Sequence, residues 1–329
     1  MIRNLPKFLL VSLGLLTLAV SPAVAGDAPN VRVGVLSFGT VNWEMDVIAH
    51  HGLDKANGFS LTVLPYASNQ ANQVALQAKE ANVIVADWLL AARLQASGAD
   101  MTFVPYSTSI GSLMVSEGAE INNLNDLKGK RVGVAGGPLD KSWLLLRADA
   151  KANLGFDLAD EVETVFGAPP LLNEELKAGR LDAVLTYWHY AAKLQVKGMR
   201  RLISVADVAR NLGDGAVMPS LGFVFSSAWG KSNPEAISGL IAASRAAKKI
   251  MATSDPEWKR LEPLLKAKNQ ATRDALRDGF REGIPEHWGP TERQGAAKAF
   301  EVMREVGGDT FTGRVPSLPA ETFWLKADF

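Results

Sequence analysis

The sequence predicts an α/β fold of two lobes, each a mainly parallel sheet flanked by helices, with a helical C-terminal segment. Three observations predict it. Short β-rich apolar runs recur as VRVGVLS (31–37), KGKRVGVAGGP (128–138) and AGRLDAVLTYW (178–188), each opening at its C-terminal end into polar or aromatic residues. Stretches of helical pattern separate the runs, as in βαβ units with a mainly parallel sheet. The alternation then begins again in the second half of the chain, so the whole device occurs twice.

In the first unit the strands are expected at 31–37, 60–65 and 82–86, each followed by a helix, at 43–57, 69–79 and 88–97. Strands at 103–106 and 112–116 close that unit. The second opens with a short capped helix and turn at 122–129 and a strand at 131–135. A helix at 140–154, a strand at 161–166 and a helix at 169–178 follow. Pro169 stands at the start of that last helix, where the missing N–H costs nothing. A strand at 182–186, a helix at 188–197 and a strand at 200–204 complete the alternation. ARNLGDGAVMP (209–219) reads as a loop, and 221–225 returns to strand. Beyond residue 226 the chain is helical and more charged, at 234–254, 257–268, 272–282 and 291–306. The Pro-rich end TGRVPSLPAETFWL (312–325) is expected to wrap the surface. These elements assign 31–116 and 221–310 to lobe 1, 117–220 to lobe 2 and 311–329 to a tail. Connections near 116–120 and 216–222 would form a hinge.

Residues 1–25 read as an export signal. Arg3 and Lys7 supply a basic start, an apolar stretch follows at 8–20, and Ala23-Val24-Ala25 fits the small-x-small cleavage rule. Cleavage is expected after Ala25, and a periplasmic location follows from it. No later stretch approaches the ~20 apolar residues of a membrane-spanning helix.

The chain has no cysteine, which excludes disulfides, thiol catalysis, cysteine-based metal sites and a lipid anchor on cysteine. Lys and Arg total 35 and so do Asp and Glu; without Arg3 and Lys7 the balance is 33 basic against 35 acidic. A chain with no basic excess is not built to hold a polyanion, so no nucleic-acid partner is expected.

Three segments, LNDLKGKRVGVAGG (124–137), LLLRADAKANLG (144–155) and ELKAGRLDAVLTYWHYAAKLQVKG (175–198), resemble the periplasmic solute-binding proteins of the nitrate/sulfonate/taurine group of ABC importers. That group also includes binding proteins for thiamine pyrimidine precursors. The resemblance covers residues 31–225. It implies a two-lobed periplasmic binding protein of type II that traps a small ligand by hinge closure. It also implies delivery to inner-membrane permease subunits driven by a separate ATPase, a monomer in solution, and no cofactor. Two segments depart from the group's pattern: KEANVIVADWLLA (79–91), where a Gly-Asp-hydrophobic-Asp run is usual, and TVNWEMD (40–46), where small or polar residues are usual.

Ligands of open α/β sheets bind at the carboxyl ends of the strands, and the candidate ligand-binding residues are sought there. Trp43 and Glu44 follow the first strand; the indole either stacks on a ligand or packs between helix and sheet. Asn69 begins a helix, as a cap or as an amide donor to ligand. Asp87 and Trp88 stand at a strand-to-helix junction, as a cap with a core indole or as a carboxylate with an aromatic wall. Asp140 and Lys141 close the loop GGPLDKS (136–142), where Asp140 is again a cap or a cleft carboxylate. Tyr187, Trp188 and His189 belong to the densest aromatic cluster of the chain. Side chains alternate there, so the cluster cannot all face the cleft.

This set holds three carboxylates against Lys141 alone, and no arginine lies at an expected strand end. The expected ligand therefore carries a positive or hydrogen-bond-donating group: an amine, a zwitterion or a nitrogen heterocycle, with a sulfonate- or nitrate-type anion or a metal ion as alternatives. Other functions remain open: an enzyme of thiamine-pyrimidine or menaquinone precursor synthesis, which relatives on this fold perform, or a sensor that uses the trap to signal. No catalytic residue and no metal ligand is assigned.

Overall fold

The computed structural model describes Met1 and residues 28–329. The expected export segment and its cleavage point lie outside the described residues, Met1 apart. The first lobe begins with β1 (Asn30–Leu36), α1 (Val41–His50), α2 (Leu53–Ala56), β2 (Ser60–Tyr66), α3 (Asn69–Gln77), β3 (Val83–Ala86), α4 (Trp88–Ala96) and β4 (Met101–Ser107). The second holds β5 (Gly111–Val115), β6 (Arg131–Ala135), α5 (Lys141–Leu154), α6 (Leu158–Glu161), β7 (Glu163–Gly167) and α7 (Pro169–Lys177). It continues through β8 (Ala183–Tyr187), α8 (Trp188–Gln195), β9 (Arg200–Ser204) and α9 (Val205–Leu212). The chain then returns with β10 (Leu221–Ser226) and seven helices: α10 (Ser227–Ser232), α11 (Pro234–Thr253), α12 (Asp255–Arg260), α13 (Glu262–Leu265), α14 (Gln270–Glu282), α15 (Pro290–Gly307) and α16 (Asp309–Thr312).

Two five-stranded sheets result, in the orders β2-β1-β3-β10-β4 and β7-β6-β8-β5-β9. In each, one strand opposes its neighbours: β10 pairs antiparallel with β3 and β4, and β5 with β8 and β9. These are the two strands that follow a crossing between lobes. A strand of a βαβ unit ends at the cleft, whereas a strand entering from the other lobe starts there and so runs the opposite way. The mainly parallel sheets expected from the sequence are present, each with this one reversal.

The strand expected to close the first unit, 112–116, is corrected by its pairing: as β5 it lies between β8 and β9 in the second sheet. All five of its residues are buried, and such a run fits the centre of either sheet, so periodicity alone could not assign it. The first crossing is therefore 108–110 rather than 116–120, and the second, 213–220, overlaps the expected one. Three boundaries also move. The expected helix 43–57 breaks at Gly52, whose φ of +63° is left-handed and suits glycine. The expected loop 209–219 begins inside α9, capped by Ser204. The expected helix 257–268 is divided between α12 and α13, which meet at Leu261.

The two lobes repeat each other with a shift close to 100 residues. RVGV occurs at 32–35 and again at 131–134, while WLLAARLQASG (88–98) matches WHYAAKLQVKG (188–198) at six of eleven positions. The shift sets α4 against α8 and makes Asp87 the counterpart of Tyr187.

The C-terminal helices tie the lobes together. In the first lobe α11 packs on α1 and α2, whereas α14 lies against α8 and α15 against α5 and α9 of the second. One continuous core runs from Phe103 and Leu90 through Trp288 and Phe300 to Trp143 and Leu144. The tail lays Phe323 beside Phe103 as a β-bridge. No helix among the described residues is long and apolar enough to cross a membrane.

Candidate functional site

A cavity of about 320 Å³ lies between the lobes. The first lobe lines it from the turn after β1, the start of α3 and the β3–α4 junction. The second contributes the loop between β6 and α5 and the start of α8, while Ser109 and Ile110 line it from the first crossing and Leu221 from the start of β10. Apart from Leu221, at the start of β10, the sheet contributions lie toward the carboxyl ends of β1, β3 and β8, where helix starts present free N–H groups and short polar side chains.

Asp87 and Asp140 reach the cavity from opposite lobes. Each caps the helix that follows: Leu90 N–H donates to Asp87 Oδ1 at 2.8 Å, and Ser142 N–H to Asp140 Oδ1 at 2.9 Å. Capping and cleft-facing, alternatives in the sequence, coexist, because a cap engages one carboxylate oxygen. Gly136 makes room on the second lobe: its φ is +96°, and a Cβ there would lie 3.0 Å from Asp140 Oδ2 and 3.3 Å from the Tyr187 hydroxyl. Burial raises the pKa of the Asp140 carboxyl; Lys141 opposes the rise and the Asp87 carboxylate adds to it.

Asn69 Nδ2 donates to the Tyr187 hydroxyl across the cavity at 3.3 Å. Burial, then the negative charge of Asp140, pushes the Tyr187 phenol well above its ordinary value, so it stays protonated and keeps its own hydrogen to donate. His189 is 5% exposed, and neither ring nitrogen has a hydrogen-bond partner among the described residues. Burial, with nearby Lys193 adding to it, pushes its pKa down to about 3 against the pull of the Phe38 backbone. The neutral ring offers one donor and one acceptor. Trp188 is half-buried and does two things: it lines the cavity and meets Trp43 edge-on, with ring centroids 6.0 Å apart.

Seven of the ten sequence-expected residues thus line one cavity: Asn69, Asp87, Asp140, Lys141, Tyr187, Trp188 and His189. Three are corrected, since they do not line it. Trp43 is 4% exposed, packs edge-on against Trp258 and donates Nε1–H to Leu264 O at 3.3 Å. Glu44 is fully buried; Lys248 Nζ and the Ser244 hydroxyl each donate to it at 2.5 Å. At the start of α1 it is Thr40 and Val41 that line the cavity, while residues 43 and 44 sit on faces turned to α12–α14 and α11. Trp88, 5% exposed, belongs to the apolar core with Leu89 and Leu90. Its repeat partner Trp188 reaches the cavity instead.

Arg93 was missed. It lines the cavity and donates Nη1–H to Phe311 O at 3.4 Å. It stands six residues beyond Asp87 with Leu90 between, a three-residue spacing that holds one helix face to the cavity. Arg93 lies within a helix rather than at a strand end, although the three-residue spacing from Asp87 through Leu90 marks it in the sequence. The cavity therefore holds two carboxylates, Asp87 and Asp140, and two cations, Lys141 and Arg93. No group of three or more His, Cys, Asp or Glu side chains that could hold a metal ion occurs among the described residues.

The sequence profile of the family described as NMT1/THI5 like matches residues 47–257. The chain belongs to the NMT1/THI5-like family. No curated protein sequence matches it. Among solved structures, this NMT1/THI5-like chain is similar to the alkanesulfonate-binding protein SsuA of Xanthomonas axonopodis pv. citri bound to MOPS. That match has 16% identity and a TM-score of 0.70, and covers 91% of this chain and 99% of that one. The periplasmic aliphatic sulphonate-binding protein SsuA of Escherichia coli matches at 16% identity and TM-score 0.70, over 90% and 92% of the two chains. The periplasmic nitrate-binding protein NrtA of Synechocystis PCC 6803 matches at 12% identity and TM-score 0.57, over 76% and 69%. This NMT1/THI5-like chain shares the two-lobed α/β fold of these periplasmic binding proteins.

Proposed function

We propose that this protein is the periplasmic ligand-binding component of an ABC importer. It captures a small molecule between its lobes and presents the closed form to permease subunits. The observation that carries this reading is the inter-lobe cavity, with Asp87 and Asp140 entering from opposite lobes and the Asn69–Tyr187 hydrogen bond spanning it. A ligand bonded to both lobes binds the closed form more tightly than the open one, which is what shifts a hinge equilibrium. The names of the structural relatives, binding proteins for sulfonates and nitrate, support the same role. An imidazole with a pKa near 3 is a weak base at neutral pH, which favours His189 as a ligand contact over an acid–base catalyst.

The ligand class follows from the lining. Two carboxylates, a neutral imidazole and a phenol donor suit an amine or a nitrogen heterocycle. Arg93 and Lys141 add a positive pole and favour a zwitterion among these. The same two cations favour one second reading, an organic sulfonate or similar oxyanion.

A thermal-shift screen on protein unfolded and refolded to remove carried-over ligand tests the proposal. Its panel holds polyamines, amino acids, aminopyrimidines, alkyl sulfonates, taurine and nitrate. A ligand at 100 times its Kd adds about 2.7 kcal/mol of stability. A shift with an amine, zwitterion or heterocycle that disappears in Asp87→Asn supports the acidic reading. A shift with sulfonates or nitrate alone replaces it with the oxyanion reading. Turnover of a bound compound would overturn the binding-protein assignment itself.

A further inference from the structure

A second cavity, of about 270 Å³, lies within the first lobe, between β4, β10 and α11. It shares no lining residue with the cavity between the lobes. Its walls are apolar, formed by Val104, Pro105, Phe223, Ile241 and Ile284. The charged side chains lining it are all cations. Arg245, Lys248 and Lys249 stand three and four residues apart on one face of α11.

Their partners differ. Lys248 is neutralised by Glu44, at 2.5 Å, and lies 3.6 Å above the Tyr106 ring. Arg245 and Lys249 have no carboxylate within ion-pair distance among the described residues. Arg245 donates to Ala327 O at 3.0 Å and stacks over the Phe329 ring at 4.3 Å, contacts that place the guanidinium without balancing its charge. Burial lowers its pKa accordingly. The Tyr106 hydroxyl, on a residue 3% exposed, has no hydrogen-bond partner among the described residues. Arg245 and Lys249 are exposed at the edge of the apolar cavity, so an anion can meet both there without breaking an existing ion pair.

The cavity also adjoins the hinge. Pro105 and Tyr106 lead into the 108–110 crossing, and Thr108 N–H donates to Gly283 O at 3.0 Å, one residue before Ile284.

We propose that this cavity is a second ligand site, for a small organic anion with an apolar body: a monocarboxylate held by Arg245 and Lys249, its chain lying against Phe223 and Ile241. The proposal stands apart from the reading of the inter-lobe cavity and needs no ligand there.

Hexanoate is the probe, titrated into the purified protein by calorimetry and followed by thermal shift. Saturable binding is expected, weakened at least tenfold in Arg245→Ala and partly restored in Arg245→Lys. Because Arg245 also holds the tail, Ile241→Trp serves as a second variant. It fills the cavity without touching a charge, and is expected to abolish hexanoate binding while the far-UV spectrum stays unchanged. Lys141→Ala, in the other cavity, should bind hexanoate as the parent does. Absence of saturable binding would overturn the proposal. So would binding that survives Ile241→Trp and is lost in Lys141→Ala, which would place hexanoate between the lobes.

Discussion

Asn69 and Tyr187 stand on different lobes, 118 residues apart in the chain, and meet in a hydrogen bond of 3.3 Å across the cavity. Beside them a Cβ on Gly137 would lie 3.6 Å from Gln70 Nε2, a second close approach between the two lobes. Contacts of this kind exist only when the lobes are together, so they contribute to the closed form alone.

Tyr187→Phe removes the acceptor and keeps the ring. Loss of one such bond costs about 0.5–1.5 kcal/mol. The variant should bind the ligand up to about tenfold more weakly. Its unliganded small-angle scattering should shift toward the more extended form. Equal affinity and an unchanged scattering profile would mean that this bond does not govern closure.

Asp140→Asn separates charge from capping, because Asn caps a helix about as well as Asp. Thermal stability of the empty protein is expected to hold or to rise, since the half-buried carboxylate near Asp87 is gone. Affinity for a cationic ligand should drop by an order of magnitude or more, a loss of at least about 1.4 kcal/mol. A calorimetric titration that leaves the affinity intact would show that the ligand's cationic group does not sit at Asp140.

Glu44→Gln leaves the Lys248 ammonium in the core without its counter-charge. Removing one member of a buried pair costs about 3–5 kcal/mol. The urea midpoint should fall by a corresponding amount. The double variant Glu44→Leu, Lys248→Met should recover most of the loss, because a well-packed apolar pair is often no less stable than the ion pair. Failure of the double variant to recover would show that the pair's geometry, not merely its neutrality, holds α1 on α11.

His189 makes stability depend on pH. Its folded pKa of about 3 lies below the 6.5 of the free side chain, so the unfolded chain binds the extra proton first. Stability from this group is fully present above pH 6.5 and declines as the pH falls toward 3. Between pH 7.5 and 5.5 the native protein should lose about 1.4 kcal/mol that His189→Gln does not lose. Denaturant melts of both proteins at the two pH values measure the difference. Identical slopes would place the imidazole in contact with water.

Much of this architecture is legible in the chain. The β-rich runs mark most of the strands, and Asp87 and Asp140 announce two helix starts because capping is a local event. The family likeness is carried by contiguous segments, and the cavity's seven recovered residues all sit at helix starts where local geometry points them. Trp43 and Glu44 also sit near a helix start, yet face the core. Their direction depends on how α1 lies against α11 and α12–α14, which no local pattern states. The same limit hid Arg93, which reaches the cavity only because α4 keeps one face toward it.

By itself the sequence determined the two-lobed α/β class, the family, and the periodic placement of carboxylates and aromatics at element ends, because hydrophobic period and capping act over a few residues. The tertiary structure alone decided three things. It joined β5 to the second sheet, since a wholly buried strand takes its address from its partners. It paired Glu44 with Lys248, 204 residues apart, because desolvation makes each require the other. And it balanced Asp87 and Asp140 with Lys141 and Arg93 in one cavity. The field that a ligand meets is summed over distance in space, not over position in the chain.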